Sequence, residues 1–302
     1  MSKKITAKGV ALALLGGLAL APVASQAVPW VGTLDTTTAA NVNVAGNPSE
    51  GPAGPTGGDG ILQNVTGIDW HANGAGWVQG FDLTAASPVG TIDTFTLTYQ
   101  AFAGGIASSS TTPDLRVGAP GPAVGTYEYT VYATINEVAQ VTAPGSINIF
   151  TQAGGSWNIY FDTTPDANQV AGTGFLDGLS IISGTFTGGL ASFTATAPAP
   201  GGLGVGGGTV FGKVTSVDLA YVDPAMVGTE VGTTLNFPGT TGVFTRPAAF
   251  GGNATGADTA VNFVLQTDGF QSFTIPEPGT LALAGMSLVA MGVARRRKGK
   301  KA

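Results

Sequence analysis

Apolar and polar side chains alternate along several segments of this chain with a period of two residues. Over 92–102, Phe95, Leu97 and Tyr99 alternate with threonines. This period is typical of a strand with one buried face, because successive side chains point to opposite sides of a sheet. Three further segments show the pattern and are bounded by Gly-rich or Pro-rich turns: 126–138, 157–162 and 261–265. We therefore predict an all-β fold, an antiparallel β-sandwich or a jelly-roll-like body.

The composition agrees with strands and turns rather than with helices. Charged residues make up only 10% of the chain, whereas glycine accounts for 48 of its 302 residues. Exposed helices need many charged side chains, so this composition excludes a helical bundle. The chain has no Cys, so the fold depends on an ordinary hydrophobic core rather than on a disulfide framework.

One segment within the body is rich in Gly and Pro. Residues 196–208 read TAPAPGGLGVGGG, a composition typical of flexible linkers. The segment predicts either a linker between two β-domains or a long loop within one domain, and the sequence leaves both alternatives open.

The N-terminus has the three parts of a secretory signal peptide. Lys3, Lys4 and Lys8 form a basic start, and an apolar run over 10–21 follows. Small residues then lead up to Ala27, which makes cleavage after Ala27 the expected processing step. We predict a signal peptide over 1–27 and an exported chain, with a retained N-terminal anchor as the alternative.

The C-terminus also has three parts in a fixed order. Pro276-Glu277-Pro278 comes first and is rigid and extended, because each Pro fixes φ and lacks an N–H donor. An apolar run over 281–294 follows, and the basic cluster Arg295, Arg296, Arg297 and Lys298 comes last. Such a cluster stops translocation and stays on the cytoplasmic side of a membrane. The run from 279 to 294 is shorter than the roughly 20 apolar residues of an ordinary transmembrane anchor, which is the alternative interpretation.

These residues resemble the PEP-CTERM sorting signal of exported proteins in Gram-negative bacteria. The resemblance implies an exosortase as processing partner, with cleavage at the Pro-Glu-Pro site. It also implies a short transmembrane helix, transient anchoring in the inner membrane, and a final place at the cell surface or in the extracellular matrix with exopolysaccharide. The predicted organisation is a signal peptide over 1–27, a β-rich extracellular body over 28–275 and a sorting signal over 276–302.

Removal of both terminal signals changes the charge of what remains. Nine of the twelve basic residues lie in the terminal segments, whereas seventeen of the eighteen acidic residues lie within 28–275. The body therefore carries three basic and seventeen acidic residues, a formal charge of −14. Nucleic acid is excluded as an expected partner, because phosphate binding requires clustered Lys and Arg.

Several short segments in the middle of the chain, within about 60–195, occur in a recognisable order. They are 68–70 (IDW), 95–101 (FTLTYQA), 128–131 (EYTV), 159–163 (IYFDT), 167–168 (AN) and 172–178 (GTGFLDG). In this order they resemble the flocculation-associated PEP-CTERM proteins. The resemblance implies a role in floc and biofilm cohesion and supplies no catalytic residue.

Catalytic chemistry has few candidate residues. His71 is the only histidine, and its neighbours Asn73 and Gly74 indicate a turn rather than a catalytic base. A pair of carboxylates could support glycoside hydrolysis without histidine, although acids that cap turns and face solvent are the simpler interpretation. The carboxylate candidates are Glu128, Glu137, Asp162, Asp166 and Asp177.

The sequence also offers two candidate binding sites. Asp162, Asp166 and Asn168 are spaced like oxygen ligands for Ca²⁺, but the loop lacks the glycine and the closing glutamate of an EF-hand. Trp70 and Trp77 lie in Gly-rich sequence and are candidates for stacking on sugar rings, with core packing as the alternative.

The sequence thus predicts a non-enzymatic, exported surface or matrix protein that supports exopolysaccharide-associated floc or biofilm formation. No cofactor is expected. The alternatives are a carbohydrate-binding module attached to exopolysaccharide and, less favoured, a secreted glycoside hydrolase.

Overall fold

The computed structural model describes residues 28–29, 31–35, 61–107, 127–195, 204–238 and 244–275. Every helix or strand within these ranges is a β-strand, and residues Pro29–Ile275 form one compact unit. No helix of the described residues is both long and apolar enough to cross a membrane. The predicted signal peptide and sorting helix lie outside the described residues.

The strands are short at the two ends of the chain and long in its middle. In chain order they are β1 (Val28–Pro29), β2 (Gly32–Asp35), β3 (Ile61–Val65), β4 (Gly67–Trp70), β5 (Ala75–Gln79), β6 (Ile92–Ala107), β7 (Glu128–Ala143), β8 (Ser146–Thr151), β9 (Gly154–Asp162), β10 (Leu179–Ala195), β11 (Gly204–Val217), β12 (Val222–Asp223), β13 (Glu230–Phe237), β14 (Ala249–Phe250), β15 (Asn253–Ala254), β16 (Asn262–Gln266) and β17 (Asp268–Ile275).

The large sheet is an antiparallel meander that closes on itself. β6 pairs with β7, β7 with β8 and β9, and both of these with β10. The meander continues through β11 and β13 to β17. β17 and β16 then pair with β4 and β5, where Gly269 lies opposite Trp70 and Val264 opposite Trp77. Because β4 and β5 also pair with β6, the ring is complete.

Three positions of the ring consist of two successive strands. β4 and β5 run along β6 on either side of a short turn, β8 and β9 run along β10, and β16 and β17 run along β5 and β4. With each such pair counted once, the eleven strands of the ring occupy eight positions. Closure leaves no long unpaired edge in this part of the chain, and so removes a template for edge-to-edge aggregation.

One end of the ring interior is filled and covered. It lies where β6 finishes and β7 begins. The large side chains there are buried: Trp70, Tyr99, Tyr129, Trp157 and Phe161. A small three-stranded sheet in the order β12-β2-β3 contributes Leu34, Leu62 and Val222 to the same core. The Phe161 and Tyr221 rings lie 5.5 Å apart, which joins the ring interior to this covering sheet.

The outer face of β6 and β7 is covered by loops. Phe102, which points outward from β6, packs with Ala167 and Phe175 of the loop over 163–178. The Thr130 hydroxyl donates a hydrogen bond to the Phe175 carbonyl at 3.0 Å. The loop therefore packs against the sheet through both apolar contact and hydrogen bonding.

Gln100 fastens the β14–β15 hairpin to the same face. Its side chain is completely buried. Nε2 donates to the Ala249 carbonyl at 3.0 Å, and Oε1 accepts from the Gly251 N–H at 3.1 Å. Both polar ends of the amide are thus used by one hairpin.

We expect Gln100→Leu to lower the free energy of unfolding by about 2 kcal/mol, because the buried Ala249 carbonyl and the half-buried Gly251 N–H lose their partner. Urea denaturation measures the change. The control is Gln152→Leu, since Gln152 is exposed and its bond to the Phe150 carbonyl lies at the surface. Equal effects of the two substitutions would contradict the assignment.

Part of the predicted linker over 196–208 lies in a strand. Residues 204–208 belong to β11 and pair with β10, and 206–208 pair with β13 as well. Residues 196–203 lie outside the described residues. The glycines are needed because the strands approach closely. A Cβ at Gly206 would lie 2.9 Å from the Phe193 Cα, and one at Gly204 would lie 2.6 Å from the Thr194 carbonyl oxygen. Glycine abundance here reflects packing within the sheet.

The predicted all-β, antiparallel class is confirmed. Within that class, the arrangement differs from the expected sandwich or jelly roll, because a single sheet closes by pairing its first and last positions. Alternation identifies strands but does not indicate which distant strands pair.

Candidate functional site

The end of the ring where β6 begins and β7 ends is hollow. A cavity of about 740 Å³ lies between the strands there, a volume typical of small-molecule sites. Its lining reaches exposed turn residues such as Ala86, Pro144 and Ala260, so the cavity opens at this end. Its inner walls are largely apolar and include Val78, Leu97, Ile149, Val210, Leu235 and Phe237.

One carboxyl group lies among these apolar walls. Glu137 is on the inward face of β7 and is 4% exposed. The Thr151 hydroxyl, opposite it on β8, donates to Oε1 at 3.1 Å. Oε2 is buried and has no hydrogen-bond partner among the described residues. Of the described residues that line the cavity, Glu137 is the only ionisable one.

The surroundings of Glu137 favour its protonated form. Burial raises the pKa of Glu137 from 4.5 to about 7, because an apolar site destabilises the carboxylate. The hydrogen bond from Thr151 acts in the opposite direction by stabilising the charged form. Around neutral pH the group therefore exists in both protonation states.

This pKa predicts a pH-dependent stability. The folded protein binds the Glu137 proton more tightly than the unfolded chain does, so the stabilisation present at acid pH is lost as pH rises towards and beyond 7. We expect the contribution of Glu137 to the free energy of unfolding to fall by about 2.5 kcal/mol between about pH 5 and pH 8. Chemical denaturation across that interval should show the fall in wild-type protein and not in Glu137→Gln.

The control for this measurement is Glu230→Gln, which alters an exposed acid on β13. It should retain the wild-type dependence on pH. A Glu137→Gln variant with the same dependence as the wild type would contradict the assignment.

Three acidic residues predicted from the sequence lie together on the outer face. A carboxylate oxygen from each of Glu128, Asp162 and Asp166 lies within 4.8 Å of the other two. Glu128 is 1% exposed, and its Oε1 accepts hydrogen bonds from the N–H groups of Asp166 and Ala167 at 2.9 and 2.8 Å. Glu128 thus holds the loop over 163–178 against β7.

The calcium site predicted from Asp162, Asp166 and Asn168 stays a prediction. The structure adds Glu128 beside the two aspartates. The Asn168 side-chain oxygen accepts from the N–H groups of Val170 and Ala171 at 3.0 and 2.9 Å, so it stabilises its own turn. Asp177 is exposed.

His71 lies in the turn between β4 and β5. Its Nδ1 accepts a hydrogen bond from the Asn73 N–H at 3.1 Å, and its ring centroid lies 4.6 Å from that of Phe102. These contacts give the histidine a structural role in shaping the turn and packing against β6.

The structure corrects the prediction for Trp70. This residue is 1% exposed and belongs to the core inside the ring, so neither face of its indole is available to a sugar. Trp77 points outward and is half-buried, with its ring 5.8 Å from that of Phe250. Of the two tryptophans, only Trp77 is partly exposed, so sugar stacking by Trp77 stays a prediction. The β14–β15 hairpin covers part of its ring.

The predicted processing residues lie outside the described residues. These are Ala27 at the signal-peptide site, Pro276, Glu277 and Pro278 at the sorting site, and the cluster Arg295, Arg296, Arg297 and Lys298.

Comparison with known proteins identifies the C-terminal segment. Residues 274–298 match the PEP-CTERM protein-sorting motif, a match that includes the Pro-Glu-Pro site and the basic cluster. No curated protein and no solved structure matches the chain. The motif marks an exported protein that is sorted through the membrane and processed by an exosortase. The resemblance to flocculation-associated proteins is not confirmed and stays a prediction.

Proposed function

Because the chain carries a PEP-CTERM sorting motif, we infer that it is a non-enzymatic protein of the cell surface or extracellular matrix that supports floc or biofilm cohesion. The motif is the observation that carries this proposal, since it directs the body to the outside of the cell. The sorting signal implies a final location with exopolysaccharide, so exopolysaccharide is the proposed partner.

The structure supports a durable body suited to that location. Its main sheet closes without a long exposed edge in the described part of the chain, which lowers the tendency to pair with other strands. The net charge of −14 over 28–275 favours solubility and disfavours contact with anionic lipid and nucleic acid.

The burial of two candidate acids counts against a glycoside hydrolase that would use either of them. Of the three clustered acids, Glu128 is almost fully buried and already accepts two backbone hydrogen bonds. Glu137 faces the interior cavity, away from this cluster. A pair of acids on either side of a glycosidic bond requires both carboxyl groups to reach the substrate.

The experiment that tests the proposal compares the producing cells with cells that lack the chain. Removal should reduce floc settling and biofilm mass, and the wild-type chain should restore both. Complementation with a chain that lacks 276–302 should fail, because the body is no longer sorted. Unchanged settling after removal of the chain would contradict the proposed role.

The polysaccharide partner needs a separate measurement. The protein isolated from the culture should be retained on the exopolysaccharide of the same cells. Its absence from the retained fraction would contradict binding to that polymer while leaving the sorting of the protein unaffected.

A further inference from the structure

The interior cavity has no part in sorting or in matrix cohesion as proposed above. It occupies one end of the ring, whereas the other end is filled by aromatic side chains and covered by the β12-β2-β3 sheet. Closed eight-stranded sheets are just wide enough either to be filled by side chains or to hold one small ligand. This ring does the first at one end and leaves the space for the second at the other.

The walls of the cavity select for an apolar molecule. The inward positions at this end carry aliphatic and aromatic side chains from β5, β6, β8, β11 and β13, including Leu97, Ile149 and Phe237. Ala191 on β10 also lines the cavity, and its methyl side chain occupies little of the space between the walls. Burial of an apolar ligand against such walls is favourable in proportion to the area removed from water.

A single polar feature interrupts these walls. Oε1 of Glu137 is engaged by Thr151, but Oε2 is buried without a hydrogen-bond partner among the described residues. A buried carboxyl oxygen without a partner is unfavourable, and a ligand group that bonds to it would remove this cost.

We propose that this cavity binds an apolar small molecule carrying one hydroxyl group, with its hydrocarbon part between the strands and its hydroxyl bonded to Oε2 of Glu137. A hydroxyl suits this position because it donates to a carboxylate and accepts from a carboxylic acid. The raised pKa of Glu137 makes both forms available near neutral pH. The opening beside Ala86, Pro144 and Ala260 provides the route of entry.

The test measures displacement of the neutral fluorescent probe N-phenyl-1-naphthylamine from the full chain, kept soluble with an amphipathic polymer. Dodecan-1-ol is the hydroxyl-bearing competitor, and dodecane is its matched competitor without a hydroxyl. We expect both to displace the probe, with dodecan-1-ol about tenfold more potent because it makes one additional buried hydrogen bond.

Three variants assign the displacement to the cavity. Glu137→Leu should reduce the potency of dodecan-1-ol about tenfold and leave dodecane as potent as before or more so. Ala191→Trp fills the cavity from β10 and should abolish binding of the probe. Leu190→Trp adds the same bulk on the neighbouring, outward-facing residue, which is 56% exposed, and should bind like the wild type.

Thermal unfolding of each variant shows whether it is folded, and Glu137→Leu keeps the proposal testable if Ala191→Trp does not fold. Equal probe binding by folded Ala191→Trp and Leu190→Trp would overturn the site. Failure of dodecan-1-ol to displace the probe from the wild type would overturn the ligand class. Equal potency of dodecan-1-ol in the wild type and in Glu137→Leu would overturn the role of the carboxyl group.

Discussion

Replacement of Pro276, Glu277 and Pro278 with alanine is expected to abolish release of the protein from the membrane. The matched sorting motif spans 274–298 and contains these three residues at its start, where an exosortase acts. Without them, cleavage fails, and the apolar run and the basic cluster remain attached to the body. These segments still hold the protein in the membrane, because stop-transfer does not depend on the Pro-Glu-Pro site. Immunoblots of membrane and extracellular fractions measure the outcome, with nearly all of the variant in the membrane fraction.

The control for the sorting variant is Asp177→Asn, which alters an exposed acid of the body. It should be released at the wild-type level. Release of the triple-alanine variant at that same level would contradict processing at the Pro-Glu-Pro site.

Substitution of Gly184 is expected to destabilise the fold strongly. Gly184 lies on β10 between β9 and β11, opposite Trp157 on one side and Val214 on the other. A Cβ at this position would overlap the Trp157 ring and lie 2.6 Å from the Lys213 carbonyl oxygen. Because Trp157 lies in the packed end of the interior, its indole has no space to move into. We expect Gly184→Ala to lower the free energy of unfolding by about 4 kcal/mol, at the upper end of overpacking effects.

Gly232→Ala is the matched control, since it adds the same methyl group to another strand of the ring. The nearest atom to its Cβ would be the Ser272 Oγ at 3.5 Å, an ordinary contact. We expect a change of less than about 0.5 kcal/mol in urea denaturation. Comparable stabilities of Gly184→Ala and the wild type would contradict the close packing of β10 against Trp157.

The alternating segments were the part of the fold that the sequence could predict. The patterns over 92–102, 126–138, 157–162 and 261–265 correspond to β6, β7, β9 and β16. By contrast, β11 begins in a run of glycines that has no alternation. Glycines occur there because β10 approaches β11 closely. A short distance between two strands produces no periodic pattern in the sequence.

Local sequence patterns could not predict closure of the ring, because closure pairs strands that are distant in the sequence. Ile68 on β4 lies opposite Gln271 on β17. The local sequence around either residue does not indicate that these two strands pair. Trp70 shows the consequence: its Gly-rich surroundings suggested an exposed loop, whereas pairing with β6 and β17 places its ring inside.

The face of β7 on which Glu137 lies could be predicted from the alternation of side chains along the sequence. Tyr129, Val131, Ala133 and Ile135 alternate along β7, and Glu137 continues that series on the apolar face. An acid on the buried face of a strand is a stronger indication of a site than acids in turns. The cavity around it depends on side chains from distant strands, so the sequence indicated the carboxyl group without its surroundings.

The same alternation placed Glu128 on the polar face, where exposure was expected. The loop over 163–178 covers it instead, and its carboxylate accepts the N–H groups of Asp166 and Ala167. Coverage by a loop has no periodic signature, so the burial of Glu128 could be learned only from the folded structure.

Intact mass spectrometry of the extracellular protein tests whether cells export this chain and remove both terminal segments. We predict a species that begins at Val28 and ends at or near Pro276, without the cluster Arg295–Lys298. An extracellular or surface species whose mass still includes that basic cluster would contradict exosortase processing and would indicate an ordinary membrane anchor.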